Sequence, residues 1–395
     1  MRQSEPMEHS SVQRLTWMNK LPNIDLITDV GSILAPAVSP SRLPYPYRMT
    51  LVTTRQCNSR CQMCNIWQQK DLPQLSLDEL RQIFVRNDFS FLRSVTITGG
   101  EATMRNDLPE FFAVVADGCK NLEHVVLATS ALNTKRTLRF VQKMLEYGQA
   151  HLPRLRKFQV QISIDGIGEL HDQIRGIRGF FKILSETLNG LEQMRAAYPM
   201  LEVRSSTVVL PENIDHVAEI RSFAAEHKLH THFSPVIISD GYYENSDTKD
   251  DLALSPTPST TPVELFRKLA NEDTTAMRFH YSNIAKMLTG SARDRRCMMG
   301  YYDFVLEYNG DVYACVNCED YRFGNLFEQT FEELWFGSDA VSARQQVKDK
   351  CCPTCTSPCH YPVVSAEELL SLKVSGAKRR LSKVTKRLTG ALRNE

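Results

Sequence analysis

The chain has 395 residues, 42% of them hydrophobic and 24% charged, with a formal net charge of +1. A balance this near zero gives no overall pull toward nucleic acid, which is not expected as a partner. No apolar run reaches the roughly 18 residues of a membrane helix and Met1–Asn19 lacks the apolar core of a secretion signal, so a cytoplasmic protein is expected.

Residues 1–46 show no clear period and end in Leu43-Pro44-Tyr45-Pro46-Tyr47, an extended linker, because each proline pushes its predecessor out of helical geometry. From 47 to 238, segments rich in Val, Ile and Thr alternate with helical patterns. Strands are predicted at Arg48–Thr53, Arg93–Thr98, Glu123–Thr129, Lys157–Ile164, Glu202–Val209 and Thr231–Val236. A helix should start at Ser76, where Glu79 completes a capping box ahead of Leu77, Leu80, Ile83 and Phe84. Others are predicted near 107–117, 135–148, 179–197 and 213–227. This alternation predicts an α/β fold with a parallel sheet and right-handed crossovers. Six units are too few for an eight-fold barrel, so a partial barrel or open sheet is expected, with its active site at the strand C-termini.

Residues 239–262 are polar and rich in Pro, Ser, Thr and Asp, which reads as a linker within a connection spanning 239–296. A cysteine-rich unit, 297–362, follows, and then a tail, 363–395. From Lys373 to Arg393 the tail carries eight basic residues and no acidic one, with Val374, Ala377, Leu381, Val384, Leu388 and Leu392 at helical spacing. Such a helix suits an anionic membrane surface, whereas Gly376 and Gly390 favour a frayed, solvated tail.

Eleven cysteines are many for a chain expected in a reducing compartment, and they cluster. Cys57, Cys61 and Cys64 follow the first predicted strand. Three thiolates on one loop hold three corners of an iron–sulfur cube and leave the fourth iron open. Zinc competes, but a closed zinc site wants four ligands, and no His, Asp or Glu occurs from 54 to 70. Cys297 and Cys315 flank Phe304–Tyr313, which reads as a hairpin around Asn309-Gly310. With Cys352 and Cys355 they supply four thiolates, enough for either a [4Fe–4S] cluster or a zinc ribbon.

The Cys57-x3-Cys61-x2-Cys64 loop resembles that of the radical SAM superfamily, whose cluster is chelated by S-adenosylmethionine (SAM). Met63 stands where that family usually has an aromatic residue. The resemblance implies that Gly99, Gly100 and Glu101 meet the SAM amino group. It implies that Ser163 and Arg175 meet the SAM carboxylate, with Asp165 either shaping the turn or touching ligand. The second block resembles the SPASM/twitch branch, also through Phe323–Leu326 and Phe331–Trp335. The resemblance implies one auxiliary [4Fe–4S] cluster on Cys297, Cys315, Cys352 and Cys355, with Cys318, Cys351 and Cys359 spare. It further implies a reductant such as flavodoxin or ferredoxin. The expected activity is hydrogen abstraction from a small polar metabolite (a sugar, aminocyclitol or polyol), ending in oxidation or epimerisation. That choice rests on the single auxiliary cluster and on the lack of a strand–helix pattern before residue 47. A peptide-modifying maturase is the alternative, and an electron carrier or zinc-stabilised binding module the second. The motifs assign no general acid or base.

Overall fold

The computed structural model describes residues 43–69, 72–294 and 297–357. The N-terminal extension up to 42, Cys359 and the basic tail lie outside the described residues.

The six expected strands form, each end within one residue of its predicted place: β1 Arg48–Val52, β2 Ser94–Thr98, β3 His124–Thr129, β4 Lys157–Ser163, β5 Leu201–Val209 and β6 His230–Pro235. Between them run α1 Leu77–Arg86, α2 Leu108–Gly118, α3 Thr134–His151, α4 Glu169–Arg175, α5 Phe180–Ala197 and α6 Val217–Glu226. Ser76 caps α1 with the full reciprocal box to Glu79. Helix α4, only seven residues long behind Gly166 and Gly168, is too short to show a period in sequence. An antiparallel pair, α7 Pro262–Glu272 and α8 Met277–Met287, follows β6.

Every pairing from β1 to β6 is parallel, so the crossover helices cover one face. Strand β5 shows the consequence. Leu201, Val203, Ser205, Thr207 and Val209 are buried, while Glu202, Arg204, Ser206 and Val208 on the other face are half-buried. The main core sits between strands and helices, on the face of Val95, Ile97, Val125, Leu127, Phe158, Val160 and Ile162.

The cysteine-rich unit is not a separate sheet. Strands β7 Asp303–Leu306, β8 Asp311–Tyr313 and β9 Arg322–Asn325 continue the first, giving the order β6-β5-β4-β3-β2-β1-β7-β8-β9. The hairpin expected around Asn309-Gly310 is present, with Val305 opposite Tyr313. Strand β7 pairs in parallel with β1, Arg48 to Asp303 and Leu51 to Leu306. Four consecutive buried residues suit β7 to an interior position covered on both faces.

Helices α9 Phe331–Phe336 and α10 Ser338–Gln346 lock this unit down. The Phe331 ring lies 4.6 Å from Phe304, 5.2 Å from Phe89 and 5.7 Å from Trp335. The Trp335 indole N–H donates to the Pro44 carbonyl at 3.0 Å. Phe331→Ala should therefore cost about 3–5 kcal/mol in chemical denaturation. A loss below about 1 kcal/mol would mean that the C-terminal unit is held by other contacts.

Candidate functional site

Beyond β1 the chain runs through Thr53–Gln56 into the loop of Cys57, Cys61 and Cys64, at the C-terminal edge of the parallel strands. Two elements clamp that loop through its backbone. The end of α4 accepts from it: Arg60 N–H donates to the Arg175 carbonyl and Gln62 N–H to that of Ile174, both at 3.0 Å. The 239–252 segment, predicted as a linker, is a strap over the same loop. Asn65 N–H donates to the Tyr243 carbonyl at 2.8 Å, and the buried Asn245 amide donates to the Met63 carbonyl at 2.8 Å. Met63 packs with Ile174, Leu210 and Leu252 in a small core beneath the loop.

Gly99 and Gly100 let the end of β2 press against that chain. Gly100 N–H donates to Thr54 O and Glu101 N–H to Gln56 O, both at 2.8 Å. A Cβ on Gly99 would stand 2.2 Å from the Thr54 oxygen, and its φ of +149° suits glycine. The Gly99 carbonyl accepts from Tyr242 Oη at 2.7 Å. Glu101 is anchored within the protein. Its carboxylate is buried and accepts five bonds, from Thr103 N and Oγ1, Thr129 Oγ1, and Ser130 N and Oγ, at 2.6 to 3.1 Å. It ties the end of β2 to the end of β3.

Ser163 ends β4, half-buried on the face turned away from the helices. Asp165 is fully buried and ion-paired with Arg175, and it accepts Val208 N–H at 2.8 Å. Arg175 thus has two partners other than a SAM carboxylate: Asp165, and Cys61, whose Sγ lies 3.5 Å from Nη1. Asn213, left without a role by the sequence, donates to the Asp165 and Val208 carbonyls at 2.8 and 2.9 Å. Thr207 donates to the Ile164 carbonyl at 2.6 Å. Both brace the strand ends.

Burial pushes the Cys57 and Cys64 thiols up to about 12 and raises Cys61 as well, with Arg175 opposing the shift at all three. Such thiols ionise at neutral pH only beside a strongly cationic centre, and three of them fit a metal centre with one position left open. Among the described residues, no three His, Cys, Asp or Glu side chains are drawn close enough to hold a single metal ion. A four-iron cube takes its thiolates at separate corners and so demands less closure of the loop.

Sequence reasoning missed the group beside this loop. Arg55, 7% exposed, reaches the C-terminal end of β7: its Nε donates to Glu307 at 3.4 Å, Nη2 to Glu319 at 2.5 Å and Nη1 to the Gly241 carbonyl at 3.2 Å. The rings of Tyr242 and Tyr308 flank its guanidinium at 5.4 and 5.6 Å. An arginine two residues before the first cysteine was the available signal, but its partners lie some 250 positions away, beyond any periodicity. Burial pushes the Glu307 carboxyl up to about 7 against the pull of Arg55.

The second set of thiols also comes together. Cys297 and Cys352 are hydrogen-bonded to each other, and Cys315 and Cys355 lie within electrostatic reach of Cys352. That bond and burial push the Cys297 thiol up, while Arg293, which donates to the Cys355 carbonyl at 3.1 Å, opposes the shift. Two of the spare cysteines have a place of their own: Cys318 and Cys351 form a disulfide, with Cα atoms 6.4 Å apart. Cys119 is buried in the main core.

The family model of the radical SAM superfamily matches residues 51–224, and that of an iron–sulfur cluster-binding domain, SPASM, matches residues 297–360. The chain belongs to the radical SAM superfamily. Both matched regions are of kinds that hold [4Fe–4S] clusters, and SAM is the family's cofactor. Among curated proteins, the chain is similar to the Fe-coproporphyrin III synthase of Methanosarcina barkeri, 25% identical over 71% of each chain. It is also similar to the cysteine-type anaerobic sulfatase-maturating enzyme of Clostridium novyi, 25% identical over 77% of this chain and 84% of that one. The fold is shared with anSMEcpe solved with AdoMet and the Cp18Cys peptide, at a TM-score of 0.54 and 19% identity, covering 87% of this chain and all of that one. No helix among the described residues is long and apolar enough to cross a membrane.

The radical SAM loop thus rests on a buried ion cluster whose stability should depend on pH. Between the ordinary carboxylate range and about pH 7 the folded protein keeps the Glu307 proton that the unfolded chain releases, so stability should fall as pH rises through that window. Glu307→Gln should flatten this slope in thermal melts. Arg55→Met should cost about 3–5 kcal/mol at pH 8, where the buried Glu307 and half-buried Glu319 carboxylates lose their partner, and less at pH 5.5. An equal loss at both values would mean that Glu307 is not the titrating group.

Proposed function

We propose that this radical SAM enzyme modifies a peptide, using a SAM-binding [4Fe–4S] cluster on Cys57, Cys61 and Cys64 and one auxiliary [4Fe–4S] cluster on Cys297, Cys315, Cys352 and Cys355. The observation that carries the site assignment is the seating of the three-thiol loop, at the strand C-termini and backbone to backbone against Gly99–Gly100. When bound, the cluster and SAM supply reductive cleavage of SAM and a 5′-deoxyadenosyl radical for hydrogen abstraction. The protein's own share is positional. The Gly99–Gly100 backbone and Ser163 offer polar atoms at the mouth. Arg175 lends positive charge beside Cys61, and Glu101 fixes the ends of β2 and β3. Four cysteines fill the auxiliary cluster's coordination, which suits it to accept or pass on an electron. A flavodoxin or ferredoxin in the reducing cytoplasm would supply the first electron.

The substrate reading departs from the expected sugar or polyol. The sulfatase-maturating relative matches 77% of this chain, and the anSMEcpe neighbour was solved with a peptide. Neither carries a name that points to a sugar. A second reading, a tetrapyrrole substrate, is favoured by the similarity to the Fe-coproporphyrin III synthase.

Anaerobic reconstitution should give about eight irons per chain, from two four-iron clusters. Replacing Cys57, Cys61 and Cys64 together with Ala should remove about half of that iron and abolish 5′-deoxyadenosine formation. Stoichiometric zinc with negligible iron in protein purified without air would refute the assignment. Candidate peptides and sugars deuterated at carbon then separate the substrate classes by mass spectrometry of 5′-deoxyadenosine. Deuterium arriving only from sugars would overturn the peptide reading.

A further inference from the structure

Strands β1 to β6 carry three permanent cations, Arg48, Lys157 and Arg204, and a single carboxylate, Glu202. All four share one face. In register, Arg48 aligns with Ser94, Ser94 with His124, and His124 with Lys157. Two residues further along β4, Gln159 aligns with Glu202; two more, and Gln161 aligns with Arg204. Side chains alternate between faces along a strand, so these rows stack on the same side. It is the side opposite Val95, Ile97, Val125, Phe158 and Val160, which pack in the helix-covered core. This is the open inner wall of the partial barrel. Asp303 of β7, opposite Arg48, adds a second carboxylate to this face.

The charges on this wall do not cancel. Glu202 is shared, lying 3.1 Å from Lys157 Nζ and 3.3 Å from Arg204 Nη2. The buried Nε of Arg204 has no hydrogen-bond partner in the protein. Two histidines near these cations, His124 and His232, are pushed toward the neutral form. Burial, with Arg48, Lys157 and Arg204 nearby, holds His124 down to about 3, and burial with Arg204 holds His232 down to about 4. His232 aligns with Ser206, the residue one row beyond Arg204, and Ser206 aligns with Ser163. Arg204 therefore sits about 7 Å along the strand from Ser163, below the mouth where the thiol loop lies.

We propose that Arg204, flanked in register by Gln161 and His230, binds a carboxylate of the substrate inside the barrel and so sets which hydrogen faces the mouth. A guanidinium with a buried, unpaired N–H donor suits a carboxylate in two-point geometry. Lys157 assists by drawing Glu202 away from Arg204. Glutamate or aspartate side chains of a peptide would supply the carboxylate, which rests on the reading above. The acid side chains of a tetrapyrrole such as coproporphyrin are the other source of the same group.

The test uses the full chain, reconstituted anaerobically with SAM present. Equilibrium dialysis at low ionic strength would compare a Gly-Ser peptide carrying glutamates with its glutamine counterpart, and coproporphyrin III with its tetramethyl ester. The glutamate peptide should bind about tenfold more tightly than the glutamine one. Arg204→Gln, checked for iron content and secondary structure, should reduce that preference to about twofold or less, and Arg204→Lys should restore part of it. If Arg204→Gln does not fold, Lys157→Gln serves, because it returns Glu202 to Arg204 and should cut the preference too. An Arg204-dependent preference for the porphyrin acid alone would keep the carboxylate site and remove the peptide reading. No preference for the acid in either pair, or a preference undiminished in the folded variants, would overturn the proposal.

Discussion

Five donors converge on the buried carboxylate of Glu101, and much of the site's geometry depends on that convergence. A buried carboxylate left short of partners would cost several kcal/mol, so the ends of β2 and β3 have one arrangement that satisfies it. With those ends fixed, Gly99 and Gly100 form a flat backbone surface. The chain after β1 docks on it through Gly100 N–H to Thr54 and Glu101 N–H to Gln56. The thiol loop is therefore positioned from below by main-chain bonds, before any metal is considered. From above it is held by the α4 carbonyls and by Asn245. Three cysteines on an unbraced loop would have to be ordered by the metal itself, at an entropic cost that this packing has already met.

The same economy links the two groups of thiols. Strand β7 pairs with β1 over four residues, so the hairpin leading to Cys315 continues the sheet whose next loop bears Cys57. Arg55 spans the junction, reaching Glu307 at the end of β7 and Glu319 beyond Cys318. Rigid pairing fixes the separation between the two thiol sets, as any electron transfer between them would require.

Much of this was legible in the sequence because it is local. Strand edges follow Val, Ile and Thr runs, the α1 start follows Ser76 and Glu79, and the hairpin follows Asn309-Gly310. The first cysteine group was legible from spacing, since three thiols on one loop have little freedom to separate. What escaped was long-range. No pattern within β7 says that it will lie against β1, and none in 239–252 says that Tyr242 and Asn245 will close over the thiol loop. The protein partners of the motif residues with carboxylates and guanidinium were hidden for a related reason. Glu101 and Arg175 occupy positions that the family resemblance gives to SAM, yet their side chains bind the protein itself. Partners such as Ser130 and Asp165 become visible only once the strands are assembled.

The charge pattern inside the barrel completes the division of labour. At the mouth, each buried charge has a partner: Arg175 with Asp165, and Arg55 with Glu307 and Glu319. On the inner wall the partnering is deliberately short by one, because Glu202 is divided between Lys157 and Arg204. Rigid, neutralised surroundings serve a reactive centre that must exclude stray protons and water. An uncompensated cation serves recognition, because its desolvation is repaid only by an anion of the right shape. Placing the second about two strand residues below the first lets one group on the substrate be held by charge while a neighbouring C–H bond is presented to the mouth. Specificity then comes from the spacing along β4 and β5, which the sheet register fixes, rather than from the motifs that define the family.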